Sequence, residues 1–494
     1  MTTLSIETLF EILQPTCFFR GQTTLFEGLT DHSSHARPGL IFFALPSSKR
    51  GAEGFIDLAL HKGATAIVAP EAVVLKKRLV FSHITFFGVK EIRYSLSKIS
   101  GALHPERPSF MAAVTGTNGK TSIANLALQL WQHLGKKAAS LGTLGLQGVD
   151  VEAPQSSLTT MEPLAFYPLL SAIAKKGISH CVLEASSHGL DQRRLDDIAF
   201  HAGVFSSFSR DHLDYHGNMR TYWLSKARLF KELVVENGIA ILNDNLSYPY
   251  ELAEACRRRN LRMWFYGFDK GDFRIKDLKV TPRGQEVLAT CFGKEISFAV
   301  PLIGRFQAAN VMAAILLVHA SGVDIADILK VTPLLKSTPG RLEYVGASPK
   351  GGHVYLDYAH TPDALEIMLQ HMRPHTKKRL FVLFGCGGDR DKGKRSLMGA
   401  VATTYADEVI VTDDNPRYED PSEIRQNILK GAQGAREIAE RADAILTAVS
   451  ELEKDDVLVI AGKGHETLQW IGSHSVPFSD QQVALRAIKQ LQSA

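Results

Sequence analysis

The sequence predicts an α/β protein of three domains: a small N-terminal α/β domain, a central P-loop domain on a mostly parallel sheet, and a C-terminal Rossmann-like, doubly wound domain. Three observations predict it. Apolar runs of strand length alternate with helical stretches along the 494 residues, the pattern of sheets covered by helices. Two breaks with proline or glycine, Leu103-His-Pro-Glu-Arg-Pro108 and Lys336-Ser-Thr-Pro-Gly-Arg341, interrupt that alternation. They place domains at 1–106, 107–335 and 336–494, and a chain of this length allows roughly three domains of ordinary size. Third, the apolar run Phe110 to Val114 leads into Thr115-Gly116-Thr117-Asn118-Gly119-Lys120-Thr121-Ser122 and then a helix to Leu134, a strand, loop and helix suited to wrapping phosphate.

In the first domain Leu40 to Leu45, Thr65 to Ala69 and Thr85 to Phe87 read as strands, and Phe55 to Lys62 as a helix. In the central domain Cys181 to Glu184, Ala202 to Ser206 and Ile239 to Leu242 are nearly continuous apolar runs, as strands buried on both faces require. A β-rich stretch, Arg274 to Leu302, precedes a helix from about Gln307 to Ser321. Beyond the second break, Val354 to Asp357, Leu380 to Phe384, Glu408 to Thr412 and Val457 to Ala461 alternate with helical segments, the doubly wound pattern. No G-x-G-x-x-G accompanies them, so a dinucleotide site has no support.

Composition narrows the class. Hydrophobic residues make up 45% and charged residues 22%, which excludes a disordered, collagenous or membrane-embedded chain. A net charge of +4 is too small for a nucleic-acid or membrane footprint, so neither is expected as a partner. No apolar run approaches the roughly 20 residues that cross a bilayer. The N-terminus carries Glu7 and Glu11 where an export signal needs basic residues and an unbroken apolar stretch. The five cysteines are scattered without C-x-x-C spacing and read as reduced thiols of a cytoplasmic protein.

The glycine-rich loop is built to hold a nucleoside triphosphate: backbone N–H groups converge on phosphate oxygens, Lys120 adds a point charge, and the Thr121 hydroxyl is free for Mg²⁺. The first glycine of the usual G-x-x-x-x-G-K-[ST] falls on Val114, so the loop is a shortened variant. Glu184 ends a buried strand. A lone glutamate there is commonly solvated, but beside a phosphate loop its carboxylate completes the Mg²⁺ shell begun by Thr121. In Phe208-Ser-Arg-Asp-His-Leu-Asp-Tyr-His216, Asp211, His212, Asp214 and His216 offer donors enough for a second divalent ion. Spacing alone leaves a zinc site or a polar loop equally open. Lys226, with Tyr222 one helical turn before it and Phe230 one turn after, reads by itself as a surface lysine.

T-G-T-N-G-K-T, E-A-S-S-H-G-L, S-R-D-H-L-D-Y-H and Y-x-x-x-K occur in that order, and together they resemble the Mur ligase family, cytoplasmic enzymes that build the peptide stem of bacterial peptidoglycan. The third domain extends the likeness with Pro339-Gly-Arg341, Asp357-Tyr-Ala-His-Thr-Pro-Asp-Ala-Leu365, Phe384-Gly-Cys-Gly-Gly-Asp-Arg-Asp-Lys392, Asp413-Asp-Asn-Pro-Arg417 and Gly462-Lys-Gly-His-Glu466. The resemblance implies ATP-driven amide synthesis through an acyl phosphate. The branch it resembles most adds meso-diaminopimelate to the D-glutamyl carboxylate of UDP-N-acetylmuramoyl-L-alanyl-D-glutamate. It implies that Gly116, Thr117, Asn118, Gly119, Lys120, Thr121, Ser122, Asn310, Arg341 and Asp357 meet the nucleotide. One magnesium ion would fall to Thr121 and Glu184, and another to His212 with a carbamylated Lys226. Lys120, Glu184, His212, Lys226 and Arg341 would then carry catalysis. Around the acceptor it implies Thr159, Thr160, Ser186, Gln192 and Arg194. Arg417 would take the distal carboxylate of the amino acid, assisted by Arg390, with Asp414, Asn415, Pro416, Gly462 and Glu466 fixing the rest. A monomer is expected, with closure of the domains on ligand binding.

The first domain departs from the family pattern. Where relatives show D-S-R before a P-G turn, this chain has His32-Ser33-Ser34 before Pro38-Gly39, and Gly51-Ala52 replaces a D-G pair. Gln307 stands where G-x-F-N expects asparagine, and Leu158 precedes the threonine pair where some relatives have asparagine. For the uridine nucleotide Ser33 is retained, and Ser48, Lys49 and Arg50 are placed to meet pyrophosphate and sugar. The alternatives are a sibling ligase adding L-lysine, a folylpolyglutamate synthetase, and a catalytically silent nucleotide-binding homologue. Arg417 speaks against the first, the His212 to Lys226 constellation with an intact third domain against the second, and the filled catalytic positions against the third.

Overall fold

The computed structural model describes residues 4–46, 51–154, 156, 158–281 and 284–492, so Ser48, Lys49 and Arg50 lie outside the described residues. The chain forms two compact units, one running up to Tyr266 and including Ala313–Ile325, the other Gly267–Met312 with the chain from Ala326 onward.

The first unit contains a two-stranded pair, Leu4–Ser5 with Leu25–Phe26, and strands of two larger sheets. Gly28–Thr30, Leu40–Phe43, Ala66–Pro70 and Thr85–Val89 are parallel neighbours in that order, and Cys17–Phe19 closes the far edge antiparallel. Side chains alternate between faces along each strand. Ile41, Phe43, Val68 and Phe87 therefore join Leu9 and Leu96 in one core, while Phe42, Ile67 and Phe86 join Ile56 and Ala59 in another. The other sheet runs Gly145–Gln147, Ala138–Gly142, His180–Glu184, Phe110–Thr115, Phe200–Phe205, Val234–Asn243, Arg262–Gly267, parallel except for its first strand. Glu184 pairs with Val114 and Leu183 with Leu141. This register sets the carboxyl ends of three adjacent strands side by side, where α/β sheets bind ligands.

Helix Met219–Arg228 runs into one π-helical stretch, Leu229–Leu233. Tyr222, Lys226 and Phe230, four residues apart on one face, are all buried. The surface reading of Lys226 is thereby corrected: the face is apolar on both sides of the lysine, so the helix turns it inward.

In the second unit an antiparallel meander, Phe273–Thr281, Gly284–Cys291 and Lys294–Val300, precedes a six-stranded sheet. Its order is Arg341–Ala347, His353–Asp357, Val457–Ala461, Leu380–Phe384, Glu408–Val411, Arg436–Glu437, parallel except for the first strand. Helices Pro362–Met372, Lys394–Tyr405 and Pro421–Leu429 pack Leu365, Met398 and Ile428 against one face of the sheet. Arg441–Glu451 and Asp480–Gln492 pack Ile445 and Ala484 against the other. A hairpin of Leu468–Ile471 and His474–Pro477 follows the Val457–Ala461 strand. All five cysteines are unpaired. Among the described residues no helix is long and apolar enough to cross a membrane.

Candidate active site

In the first unit the phosphate loop is fastened to the end of the neighbouring Phe200–Phe205 strand. Thr117 N–H donates to the Ser207 carbonyl at 2.8 Å, Asn118 N–H to Ser207 Oγ at 2.9 Å, and Ser206 Oγ to the Asn118 carbonyl at 2.5 Å. Gly116 has φ +146°, and a Cβ there would stand 2.0 Å from Ser206 Oγ, so the close approach requires glycine. Lys120 Nζ donates to the carbonyls of Gly116 and Thr117, both at 2.8 Å. Lys226 Nζ shares the Gly116 carbonyl at 2.7 Å. Lys226 is 1% exposed. Its burial, and next the charge of Lys120, push its pKa well below the ordinary lysine value.

Glu184, 3% exposed, accepts from Thr121 Oγ1 at 2.9 Å, from Thr143 N–H at 2.8 Å and from Thr143 Oγ1 at 3.1 Å. The solvated alternative is excluded by that burial. The pairing of Thr121 with Glu184 is an all-oxygen donor set of the kind magnesium takes. Thr143 Oγ1 lies 3.1 Å from Thr159 Oγ1, and Thr160 Oγ1 donates to the Glu184 carbonyl at 2.8 Å and lies 3.0 Å from Ser186 Oγ. Arg194 reaches the Thr160 carbonyl, Gln192 Oε1 at 2.7 Å and Glu162 at 2.7 Å. Thr121, Glu184, Thr159, Thr160, Ser186, Gln192 and Arg194 are thus one hydrogen-bonded network.

His212 is half exposed and sits at φ +50° before a short helix, Leu213–His216. Its ring centroid is 4.8 Å from that of His188, whose own ring is 5.5 Å from His216. Burial first, then His212 and His216, push the His188 pKa down to about 4, so it is neutral at pH 7. Among the described residues no group of three or more His, Cys, Asp or Glu is placed to hold a metal. Ser33, in the single turn Ser33–His35, is buried and apart from this network in the bonds described.

In the second unit the remaining residues, Asn310 on the helix Arg305–Ala320 aside, lie at the carboxyl ends of the six-stranded sheet. Asp357 ends its strand opposite Arg341 and accepts from the N–H groups of Leu342 and Ala359, both at 2.8 Å. The Arg341 guanidinium lies 4.8 Å from the Tyr358 ring centroid. Asn310 donates to Gln307 Oε1 at 3.0 Å, so the departing residue Gln307 fixes the Asn310 amide. Asn415 Nδ2 donates to Glu466 Oε2 at 2.9 Å. Gly462 has φ +108°, and a Cβ there would meet Asp414 Oδ2 at 2.7 Å, so this position too requires glycine. Pro416 is buried between Asn415 and Arg417, and Arg417 Nη1 donates to the Gly388 carbonyl at 2.7 Å. Arg390 is exposed on the same loop as Gly388.

These motifs match known families. The model of the Mur ligase middle domain matches residues 114–318, and that of the Mur ligase glutamate ligase domain matches residues 340–464. A relative from Bradyrhizobium diazoefficiens, named UDP-N-acetylmuramoyl-L-alanyl-D-glutamate--2,6-diaminopimelate ligase, is 43% identical over 93% of this chain and 94% of its own. The chain belongs to the Mur ligase family. A Caulobacter vibrioides relative of the same name is 42% identical over 94% of this chain and 95% of its own. A solved structure bearing that enzyme name aligns with TM-score 0.72 and 31% identity over 99% of both chains.

Two residues of this Mur ligase lie outside the motifs, Thr143 and Glu162, and a third, Lys463, lies inside one without a role assigned to it. Thr143 directly follows the Ala138–Gly142 strand, beside the end of Glu184's strand, a position that parallel-sheet topology marks as functional. Glu162 balances Arg194, and only the fold brings the two together. Lys463 lay inside a quoted motif, but nothing local marks it as buried.

Proposed function

We propose that the chain is the ATP-dependent, ADP-forming ligase that joins meso-2,6-diaminopimelate to the D-glutamyl carboxylate of UDP-N-acetylmuramoyl-L-alanyl-D-glutamate in peptidoglycan precursor synthesis. The observation that carries this reading is the unbroken path Thr121–Glu184–Thr143–Thr159, which ties the phosphate loop to the threonines of the acceptor. A carboxylate held there lies beside the phosphoryl group it must receive.

The phosphate loop and Lys120 hold the triphosphate. Thr159, Thr160, Ser186, Gln192 and Arg194 hold the dipeptide. The carboxylate oxygen attacks the γ-phosphorus of ATP and ADP leaves. The amine of the amino acid then attacks the acyl phosphate carbon, the tetrahedral adduct loses phosphate, and the amine sheds a proton to give the amide. Thr121 and Glu184 would hold one magnesium ion, and His212 with Lys226 a second. When bound, magnesium stabilises the negative charge that both steps develop. Lys226, whose surroundings disfavour its ammonium form, is an amine nucleophile for carbon dioxide; as the N–C bond forms the amine loses a proton, and the resulting carbamate supplies an anionic oxygen in place of a cation. Asn310, Arg341 and Asp357 serve the nucleotide.

Arg417 selects the amine. Meso-diaminopimelate differs from L-lysine by a distal carboxylate, and a guanidinium takes a carboxylate in two parallel bonds. Arg390, Asp414, Asn415, Gly462 and Glu466 complete that subsite, with Pro416 shaping its turn. Ser33 remains the candidate contact to the uridine nucleotide. The enzyme works as a cytoplasmic monomer, where ATP is available.

The deciding experiment is phosphate release with Mg-ATP and the UDP-muramoyl dipeptide, comparing meso-diaminopimelate with L-lysine. Release that depends on diaminopimelate is expected; release with lysine alone would overturn the role given to Arg417.

A further inference from the structure

Lys463 is 0% exposed and plays no part in the chemistry above. Its ammonium makes three bonds: to Asn415 Oδ1 at 3.0 Å, Glu466 Oε2 at 3.1 Å and the Leu468 carbonyl at 2.8 Å. These acceptors belong to three segments: the loop after strand Glu408–Val411, the loop after strand Val457–Ala461, and the Leu468–Pro477 hairpin. The hairpin in turn grips the first loop residue by residue. Gln469 Nε2 donates to the Asp414 carbonyl at 2.7 Å, and Trp470 N–H to Asn415 Oδ1 at 3.0 Å. Arg417 N–H donates to the Trp470 carbonyl at 3.0 Å, and Gly472 N–H to the Arg417 carbonyl at 2.7 Å.

That last pair of bonds brackets a residue at φ +52°. Left-handed backbone is sparsely populated for a residue with a side chain, and it persists only where the surroundings over-determine it. Here the hairpin does so on both sides of Arg417. The backbone sets the Cα–Cβ direction from which the side chain starts, and with that start fixed by the clamp, Nη1 is held on the Gly388 carbonyl at 2.7 Å.

We propose that Lys463 is a positioning residue for the amino-acid subsite. Through Asn415, Glu466 and the hairpin it locks the turn at Arg417, and it thereby sets the preference for an amino acid bearing a second carboxylate over one without it. This rests on the assignment of Asp414 to Arg417 and Glu466 to the incoming amine.

The test uses the full-length protein and two variants. Lys463→Met keeps the aliphatic stem and removes the three bonds; Gln469→Met removes only the bond to Asp414 and spares the buried ion. Lys463→Met is expected to raise the KM for diaminopimelate about tenfold and to lower the preference over lysine by a similar factor. The KM for ATP should stay at the wild-type value, and the amides of Arg417 and Gly472 should exchange hydrogen faster. Gln469→Met should shift the same quantities less. An unchanged KM and preference, or a loss of kcat shared equally by every substrate, overturns the positioning role and leaves the ligase reading standing. If the unaltered enzyme turns over no diaminopimelate, the ligase reading falls instead. The amide exchange rates then decide the clamp, and rates unchanged in Lys463→Met overturn it.

Discussion

Two side chains show how environment sets chemistry. Lys226 is buried beside Lys120 and shares its carbonyl acceptor, and its burial first, then the Lys120 charge, shift it toward the neutral amine. A neutral amine reacts with carbon dioxide, whereas an ammonium has no lone pair to offer. Isotopically labelled bicarbonate should therefore give a carbamate resonance in the native protein that is missing in Lys226→Met, with turnover in that variant down about 100-fold or more. Full activity in carbonate-free buffer would sink the idea. Arg417→Ala would remove the two charge-assisted bonds proposed for the distal carboxylate, which is expected to raise the KM for diaminopimelate about 100-fold. Nucleotide affinity, read by titration with an ATP analogue, should not change. Burial of the lysine was legible only in hindsight: Tyr222 and Phe230 lie on its face of the helix, but a lysine in mid-helix carries no local sign of which way that face turns.

The elements that periodicity announces are those fully buried on both sides. Phe110–Thr115, His180–Glu184, Leu380–Phe384 and Val457–Ala461 coincide with apolar runs because helices cover both faces of their sheets. The Leu468–Pro477 hairpin was not legible. Its strands are short and largely exposed, and its bonds to Asp414, Asn415 and Arg417 are made through backbone groups and one glutamine, which leave no hydrophobic pattern. The break at Leu103 to Pro108, where the first domain boundary is placed, is also fastened. Glu106 accepts from Ser171 Oγ at 2.6 Å and pairs with Lys175 at 3.0 Å, both on helix Pro163–Lys175. The Ser171 bond first, then its own backbone and Lys175, lower the Glu106 pKa from 4.5 to about 2. A carboxylate depressed in the folded state stabilises it above the unfolded value and loses that contribution as pH falls. Glu106→Gln should be less stable than wild type at pH 7, with the difference shrinking between pH 4.5 and about 2. Urea midpoints across that range check it; a difference that does not vary with pH would show the ionised form to be irrelevant.

At the scale of the molecule, the two units divide the proposed substrates between them. The proposed acceptor contacts Ser33, Thr159, Thr160, Ser186, Gln192 and Arg194 belong to the unit that contains Met1–Tyr266, while the proposed amine contacts Arg390, Asp414 to Arg417, Gly462 and Glu466 belong to the other. Each unit has its own buried core. A ligand stabilises only the state that binds it, by about 2.7 kcal/mol at one hundred times its dissociation constant, and local opening is suppressed where the contacts form. Diaminopimelate alone should therefore slow hydrogen exchange at Asp414 to Arg417 and at Gly462 to Gly472, and leave the Thr143, Thr159 and Glu184 segments at their free rates. The UDP-muramoyl dipeptide alone should do the reverse. Protection of the Glu184 network by diaminopimelate alone would place the amine site in the wrong unit and take the selectivity argument for Arg417 with it.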